Sequence, residues 1–235
     1  MTATGILYGV GIGPGDPDLI TRKAARLIES AAIIAYPTLA GAASFARSIV
    51  AGLIGPGTCE IVIDLPMLTE REPAQAAYDA GAARIAAELT AGRDVVVLCE
   101  GDPLFYGSFM YLHARLAGRF RVEVVPGVTS ITACAARAGL PLAARNQAVT
   151  VVPGPLPDDV LRQHIRSADA LVLMKVGRHL GRVRALLEAE GLADRAVYVA
   201  RATLDGEECL PLRAAPEAAP YFSMILVPKE ADPWL

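Results

Sequence analysis

Short β-rich runs alternate with Ala- and Leu-rich helical segments in the first half of the chain, and this alternation limits the possible folds most. The predicted strands are residues 6–11, 32–36, 60–65, 95–100 and 122–125. The predicted helices between them are residues 19–29, 45–53, 74–90 and 109–116. Because parallel strands need crossover connections of helix length, this order predicts an α/β fold whose largely parallel sheet is covered on both faces.

The second half begins with the same alternation but ends differently. Predicted helices at 130–138, 158–167 and 181–190 alternate with strands at 149–152 and 170–174. Three further strands, at 196–202, 207–210 and 222–227, then follow with connections too short for a helix. We therefore expect a second α/β domain with a mixed, partly antiparallel sheet. The domain boundary is expected near residues 116–121, giving domains 1–118 and 119–235.

Composition excludes several classes of protein. The chain has 235 residues, 53% of them hydrophobic, and a net charge of −3, which fits a globular protein and gives no basic footprint for a nucleic-acid partner. The four cysteines form no C-x-x-C pair and the three histidines have no metal-ligand spacing, so we expect neither a disulfide framework nor a bound metal. We expect no signal peptide, because the first residues lack a basic region and glycines break their apolar stretch, and no apolar stretch reaches about 18 residues. The sequence therefore predicts a cytoplasmic protein without membrane segments.

The sequence YGVGIGPGDPD, residues 8–18, follows the first predicted strand. Its glycines invite a dinucleotide-binding interpretation, but Pro14 interrupts the turn and the second strand ends in Tyr36 and Pro37 instead of an acidic residue. A structural alternative is a tight turn in which Asp16 caps the next helix and Pro17 occupies its first position. Four glycines exceed what a cap needs, so we also expect backbone here to approach a ligand closely.

Two more stretches follow predicted strands. CEGDPLFYGS, residues 99–108, places Glu100 and Asp102 at the carboxyl edge of a parallel strand, where open α/β sheets bind ligands. The alternative is an Asp-Pro turn in which Asp102 accepts hydrogen bonds from backbone amides. VPGVTSITA, residues 125–133, reads as a Pro-Gly turn followed by a helix capped by Thr129 or Ser130.

Together these motifs resemble the tetrapyrrole methylase family, which is marked by GxGPGDPxLIT, EGDPxxYG and PGVTS in this order. Further stretches, including LVLMKVGRH, VYVARAT and APYFSMILV, are similar to the precorrin-2 C20-methyltransferases, and the resemblance extends over residues 5–227. It implies two α/β domains with a cofactor cleft between them and methylation of C20 of precorrin-2 or its cobalt complex. Methylation of another corrin position and a nucleotide-binding Rossmann protein are the alternatives.

The resemblance also implies a cofactor site and a substrate. The cofactor is S-adenosyl-L-methionine, the methyl donor, which leaves as S-adenosyl-L-homocysteine. Its implied contacts are Pro14, Glu100, Gly101, Asp102, Thr129, Ser130, Ile131, Met174, Ala202, Ser223 and Met224. The substrate is a reduced tetrapyrrole, and its implied contacts are Gly13, Gly15, Arg145 and Arg178. We also expect a homodimer from this resemblance.

The proton acceptor stays open at this point. Asp16, Asp102 and Tyr106 are candidates because all three lie in the motifs expected near the reacting carbon. Capping is the stronger explanation for Asp16, because an aspartate before a Pro-initiated helix is a preferred N-cap.

Overall fold

A computed structural model describes residues 4–66 and 71–228 of the chain. The chain divides into two compact units between Thr129 and Ser130. Each unit is built on its own five-stranded sheet, which confirms the predicted pair of α/β domains.

The first unit contains a parallel sheet in the strand order β3-β2-β4-β1-β5. Its strands are β1 (Leu7–Gly11), β2 (Ile33–Leu39), β3 (Cys59–Leu65), β4 (Val95–Cys99) and β5 (Val122–Val125). Its helices are α1 (Arg22–Glu29), α2 (Phe45–Ile49), α3 (Arg71–Thr90) and α4 (Phe109–Leu116). Every residue of β4 is buried, as expected for a strand that is covered on both faces.

Each face of this sheet carries an apolar core. On one face, α3 and α4 contribute buried side chains such as Ile85, Leu89 and Leu112. On the other face, α1 and α2 contribute Ile28 and Ile49. Burial of aliphatic side chains of this size stabilises the fold by about 1.5–3 kcal/mol each. The two helical layers therefore hold the sheet in place, and with it the loops at its edge.

The second unit contains a mixed sheet in the order β6-β7-β10-β8-β9. Its strands are β6 (Val149–Pro153), β7 (Ala170–Met174), β8 (Val197–Ala200), β9 (Glu208–Pro211) and β10 (Ser223–Pro228), and its helices are α5 (Ser130–Ala138), α6 (Asp158–Ser167) and α7 (Leu180–Ala189). Strands β6 and β7 are parallel, whereas β10 runs antiparallel to both β7 and β8, and β8 runs antiparallel to β9. The predicted mixed sheet is therefore confirmed.

The division between the units lies further along the chain than the expected 118/119 boundary. Strand β5 pairs in parallel with β1, from Leu7 opposite Val122 to Val10 opposite Val125. These ladder hydrogen bonds assign β5 and the turn after it to the first unit. A four-residue strand between two helices carries no sequence signal that says which sheet it joins.

Two helices are shorter than predicted, and local capping explains the first case. Asp16 does act as a cap: its Oδ1 accepts the N–H of Asp18 at 2.9 Å, but the element it caps is a 3₁₀ turn, Pro17–Leu19. Helix α1 starts later because Thr21 is its own cap and accepts the N–H of Ala24 at 3.2 Å. The predicted helix 45–53 is likewise divided into α2 and a 3₁₀ turn, Ala51–Leu53.

A polar network links α2 to strands β2 and β3. The Arg47 guanidinium donates from Nε and Nη2 to the two carboxylate oxygens of Glu60, at 2.8 Å each, and the buried Tyr36 hydroxyl donates to the same carboxylate. Hydrogen bonds from Arg47 and then from Tyr36 lower the pKa of Glu60 to about 2. Burial and the neighbouring Glu60 raise the pKa of Tyr36 to about 12. The network therefore stabilises the first unit as long as the Glu60 carboxylate is ionised.

Candidate functional site

Three loops of the first unit meet at one edge of its sheet. They follow β1, β4 and β5, and β1 lies between the other two strands. Because all three strands run parallel, their carboxyl ends share an edge. These loops are the glycine-rich loop after β1 (residues 12–16), the loop containing the sequence Gly-Asp-Pro after β4 (residues 100–103, called the GDP loop) and the turn with the sequence Pro-Gly-Val-Thr after β5 (residues 126–129, called the PGVT turn). Three separate sequence motifs are thereby brought together where α/β sheets bind ligands.

Backbone hydrogen bonds join the first two loops. The N–H of Gly101 donates to the carbonyl of Gly13 at 2.7 Å, the N–H of Gly13 donates to the carbonyl of Gly101 at 3.3 Å, and the N–H of Ile12 donates to the carbonyl of Cys99 at 3.0 Å. Gly13 and Gly101 have φ angles of 81° and 64°, a left-handed conformation that costs glycine nothing. The two loops are thus joined at positions whose backbone conformation favours glycine.

The third loop approaches so closely that no side chain fits between the backbones. A Cβ on Gly127 would lie 2.0 Å from the carbonyl oxygen of Gly101, and a Cβ on Gly11 would lie 2.6 Å from the backbone nitrogen of Gly127. A Cβ on Gly9 would lie 2.3 Å from the ring of Phe109. The glycines at 9 and 11 are therefore explained by internal packing, which partly corrects the expectation that they serve the approach of a ligand.

Both carboxylate oxygens of Asp102 bind backbone amides. Oδ1 accepts the N–H of Leu104 at 2.9 Å and Oδ2 accepts the N–H of Gly127 at 3.1 Å. The Asp-Pro turn considered from the sequence is thus present, and Asp102 also holds the PGVT turn to the GDP loop.

Glu100 has a different environment, although it lies only two residues earlier. Among the described residues its carboxylate takes part in no hydrogen bond or ion pair. The residue is exposed, yet desolvation by surrounding protein raises the pKa of its carboxyl above the ordinary value. An acceptor with a raised pKa and no internal partner is suited to a ligand or to a proton.

In the second unit, several residues expected at the cofactor share one apolar cluster. Ile131, Ala202 and Met224 are buried in it, and the partly buried Met174 packs against it. Met174 and Met224 are register partners in the β7–β10 ladder. Ser223 precedes Met224, is buried, and donates from Oγ to the carbonyl of Pro220 at 2.7 Å. The segments with the sequences LMK (residues 173–175), RAT (residues 201–203) and FSM (residues 222–224) therefore lie together.

Strained backbone occurs next to these residues. Within residues 4–66 and 71–228, five non-glycine residues have φ angles between 49° and 68°: Tyr106, Arg145, Lys175, Arg201 and Thr203. Tyr106 and Arg145 are predicted site residues themselves, and Lys175 directly follows the predicted cofactor residue Met174. Arg201 and Thr203 flank Ala202. Left-handed conformations of non-glycine residues cost of order 1–3 kcal/mol each and cluster at functional sites. Their positions here therefore favour a functional role for the segments around the predicted site residues.

Three further predicted residues, Tyr106, Arg145 and Arg178, are exposed. Tyr106 is exposed, with its ring 5.2 Å from that of Phe105 in an edge-on arrangement. Arg145 is exposed in the connection between α5 and β6. Arg178 is exposed in the 3₁₀ turn Gly177–His179 after β7. Burial first, and then the nearby Arg178, lower the pKa of His179. The assignment of both arginines to substrate carboxylates stays a prediction.

Two polar residues near Ala202 were not singled out from the sequence. Glu207 accepts the backbone N–H of Thr203 on Oε2 and the Nε–H of Arg137 on Oε1, at 2.6 Å each. Arg137 precedes Glu207 by 70 residues, so no local pattern could have linked them. The one available signal was an acidic residue shortly after the RAT motif.

Two features are absent from residues 4–66 and 71–228. No group of three or more His, Cys, Asp or Glu side chains there could hold a metal ion. In the same ranges, no helix is both long enough and apolar enough to span a membrane.

Comparison with known proteins places these motifs in a family. Residues 6–215 match the family described as Tetrapyrrole (Corrin/Porphyrin) Methylases. The chain is 44% identical over 237 residues to a precorrin-2 C(20)-methyltransferase from Sinorhizobium sp, covering 97% of each protein. It is 38% identical over 230 residues to the cobalt-precorrin-2 C(20)-methyltransferase of Salmonella typhimurium, covering 96% of this chain and 97% of that protein.

A solved structure shares the fold. The uroporphyrin-III C-methyl transferase from Thermus thermophilus, in complex with S-adenyl homocysteine, superposes with a TM-score of 0.67 and 28% identity, covering 95% of this chain and 92% of that one. The matched residues include all three loops of the first unit and the LMK and RAT segments of the second. The chain belongs to the tetrapyrrole methylase family.

Proposed function

We propose that this protein transfers the methyl group of S-adenosyl-L-methionine to C20 of precorrin-2, or of its cobalt complex, in cobalamin biosynthesis. The product is precorrin-3A or its cobalt form. The observation that carries the proposal is the convergence of the glycine-rich loop, the GDP loop and the PGVT turn at the carboxyl edge of β4, β1 and β5. The choice of C20 is supported by the two relatives that carry this activity in their names.

The residues present fit such a cofactor. In the first unit, Glu100 and Asp102 supply negative charge at the loop edge, which would offset the desolvation of a positively charged sulfur. In the second unit, the partly buried Met174 packs against the apolar cluster of Ile131, Ala202 and Met224, an apolar environment of the kind that an adenine ring requires. When bound, S-adenosyl-L-methionine supplies an electrophilic methyl group attached to a sulfonium.

The chain contributes mainly positioning to this reaction. The loops are held by backbone hydrogen bonds and by the carboxylate of Asp102, so little reorganisation is needed when ligands bind. Holding two reactants in a near-attack geometry can account for roughly 7–11 kcal/mol of a barrier. An electron-rich reduced tetrapyrrole is already a carbon nucleophile. The remaining chemical task of the protein is to accept the proton that C20 loses.

The candidates for that proton acceptor differ in how far their oxygens are already used. Asp16 accepts a capping hydrogen bond, and both oxygens of Asp102 bind backbone amides. Glu100 combines a raised pKa with a carboxylate that no described residue engages. We therefore add Glu100 to the candidates Asp16, Asp102 and Tyr106, and rank it first.

The cellular setting and assembly are part of the same proposal. We propose a cytoplasmic enzyme that acts as a homodimer, as the family resemblance implies. Sedimentation of the purified protein tests the dimer: a mass twice that of the 24.7 kDa chain supports it, and a monomer at assay concentration contradicts it.

The test of the activity is an anaerobic assay with precorrin-2, with and without inserted cobalt. The methyl donor carries ¹³C in its methyl group, so that NMR assigns the methylated carbon and mass spectrometry counts the methyl groups. A single methyl at C20 is expected, and the faster substrate identifies the pathway branch. A methyl at another carbon would keep the family and replace the C20 assignment. Absence of binding to S-adenosyl-L-methionine by calorimetry would contradict the methyltransferase proposal as a whole.

A further inference from the structure

The connection between β8 and β9 is held in an unfavourable conformation. Arg201 and Thr203 have φ angles of 50° and 68°. A left-handed conformation is a genuine outlier for a β-branched residue such as threonine. Ala202, which lies between them, is buried in the apolar cluster with Ile131 and Met224. A strained turn of this kind persists only where surrounding contacts hold it.

One of those contacts comes from a carboxylate. Oε2 of Glu207 accepts the N–H of Thr203 at 2.6 Å, and Oε1 accepts the Nε–H of Arg137 at 2.6 Å. The Glu207 side chain is only 20% exposed, whereas that of Arg137 is 55% exposed. The backbone of Arg201 is fixed separately, because its N–H donates to the carbonyl of Phe222 at 2.8 Å. Glu207 therefore anchors Thr203 in the second half of the turn, in addition to the backbone hydrogen bond from the N–H of Leu204 to the carbonyl of Arg201 at 2.9 Å.

The same ion pair reaches a second segment assigned to the cofactor. Arg137 lies in α5, the helix that begins with Ser130 and Ile131. Glu207 thus connects that helix to the strained turn around Ala202, entirely within the second unit. Both connected segments carry residues that the family resemblance assigns to S-adenosyl-L-methionine.

We propose that Glu207 and Arg137 form a positioning pair that presents Ala202 and the start of α5 to the adenosine of the cofactor. This inference rests on the proposed function, because it assigns an adenosine ligand to these segments. Neither residue needs to touch the cofactor. Their role is to hold the left-handed turn, so that the energy of binding is not spent on forming it.

The chemistry of the pair requires a carboxylate. Glu207 uses one oxygen for a backbone N–H and the other for a guanidinium, and glutamine has a single acceptor oxygen. Glu207→Gln therefore keeps one contact and loses the other, with little change in volume. Glu208→Gln is the matched control, because the adjacent residue carries the same charge, is exposed and begins β9.

The experiment measures S-adenosyl-L-homocysteine affinity by calorimetry, kcat and KM for the methyl donor, and thermal unfolding. For Glu207→Gln we expect Kd and KM to rise about tenfold while kcat stays within about twofold, since lost binding that is common to ground and transition states appears in KM. Glu208→Gln is expected to match the unmodified protein. If Glu207→Gln binds as tightly as Glu208→Gln, the positioning pair is disproved.

A second substitution separates positioning from general loss of structure. Asparagine adopts the left-handed region more readily than threonine, so Thr203→Asn lowers the strain that Glu207 holds in place. We expect Thr203→Asn to recover part of the affinity lost in Glu207→Gln, measured as a double-mutant cycle. Strictly additive effects of the two substitutions would contradict the proposal.

If Glu207→Gln does not fold, Arg137→Gln on the exposed side of the pair replaces it, with an expected loss of about threefold in affinity and unchanged affinity as the contrary result. Failure of the unmodified protein to bind S-adenosyl-L-homocysteine overturns the proposed function first, and is distinguishable because it does not depend on any variant.

Discussion

The Oδ2 atom of Asp102 accepts a hydrogen bond from the backbone N–H of Gly127 at 3.1 Å, across 25 residues of sequence. The other oxygen accepts the N–H of Leu104 at 2.9 Å. One side chain thus keeps the GDP loop folded and attaches the PGVT turn to it. If the proposed function holds, Asp102 combines loop positioning with negative charge near the sulfonium.

The two roles of Asp102 can be separated by ligand charge. Asp102→Asn removes the charge and leaves one acceptor oxygen. We expect about a tenfold loss of affinity for S-adenosyl-L-methionine, because a nearby carboxylate favours a positive sulfur by an amount of order 1 kcal/mol or more. The loss for S-adenosyl-L-homocysteine, which has a neutral sulfur, is expected to be smaller. Calorimetry with both ligands measures the difference.

The control for this comparison is Asp64→Asn, because Asp64 is an exposed aspartate of β3 in the same unit. It should leave both affinities unchanged. Equal losses for the two ligands in Asp102→Asn would leave Asp102 with loop positioning alone, and no loss for either would remove it from the site.

The backbone contact between the loops should tolerate no added methyl group. Gly127→Ala would place a Cβ 2.0 Å from the carbonyl oxygen of Gly101, and backbone cannot yield as a side chain does. We expect a destabilisation of about 1–3 kcal/mol together with a loss of cofactor affinity of at least about tenfold. Gly118→Ala, with no atom within 4 Å of its Cβ, is the control. Chemical denaturation and calorimetry report the two quantities, and a Gly127→Ala protein that behaves like the control would show that the loops do not meet in this way.

The raised pKa of Glu100 predicts a pH-dependent effect on stability. A carboxyl whose pKa is raised on folding stabilises the protein below its unfolded pKa and loses that contribution as the pH rises through the folded value. At pH 7 the ionised Glu100 is therefore unfavourable, and Glu100→Gln should be more stable than the unmodified protein. The residue is exposed, so screening by solvent keeps the gain small.

The measurement for Glu100 is urea denaturation at pH 7 and at pH 4. The advantage of Glu100→Gln should shrink towards pH 4, because a growing fraction of the unmodified carboxyl is protonated as the pH falls. The same variant should lose most of its methyl transfer at every pH if Glu100 accepts the proton. An equally stable and fully active Glu100→Gln protein would remove Glu100 from the candidates.

The lowered pKa of Glu60 predicts the opposite pH dependence. A carboxyl whose pKa is lowered on folding stabilises the protein above its unfolded pKa, and this contribution disappears as the pH falls through about 2. Glu60→Gln weakens the bond to Arg47 and should cost about 1 kcal/mol at pH 7, with the difference closing between pH 4.5 and 2. Glu29→Gln, an exposed site on α1, should stay within about 0.5 kcal/mol. A pH-independent difference would contradict the ion pair as its cause.

Periodic and local features of the sequence were sufficient for most of the architecture. The buried run of β4 and the glycine motifs after β1, β4 and β5 predict a parallel sheet with loops at one edge. This prediction succeeds because strand burial and turn formation depend on residues that are close together in the sequence. The family motifs then brought Ile131, Met174 and Ala202 into one expected site, and the structure packs them in one cluster.

What the sequence could not supply are contacts between distant residues. The bond from Gly127 to Asp102 and the ion pair of Arg137 with Glu207 depend on how whole strands and helices pack, and no local spacing encodes them. The boundary was misplaced for the same reason, since the sheet that β5 joins is decided by tertiary pairing. The glycines at 9 and 11 were assigned to a ligand because close approach of backbone to backbone leaves the same signature as close approach to a ligand.

The position of β10 has a consequence for how the protein is made. This strand lies between β7 and β8 and hydrogen-bonds to both, yet it is the last strand of the described chain. On the ribosome, the β6–β7 and β8–β9 pairs are synthesised first and stay separate until residues Ser223–Pro228 emerge. The strands of the first sheet are complete by Val125. From the synthesis of β8 until that of Ser223–Pro228, the nascent second sheet has two unpaired inner edges, on β7 and β8, the kind of surface that recruits chaperones or other chains.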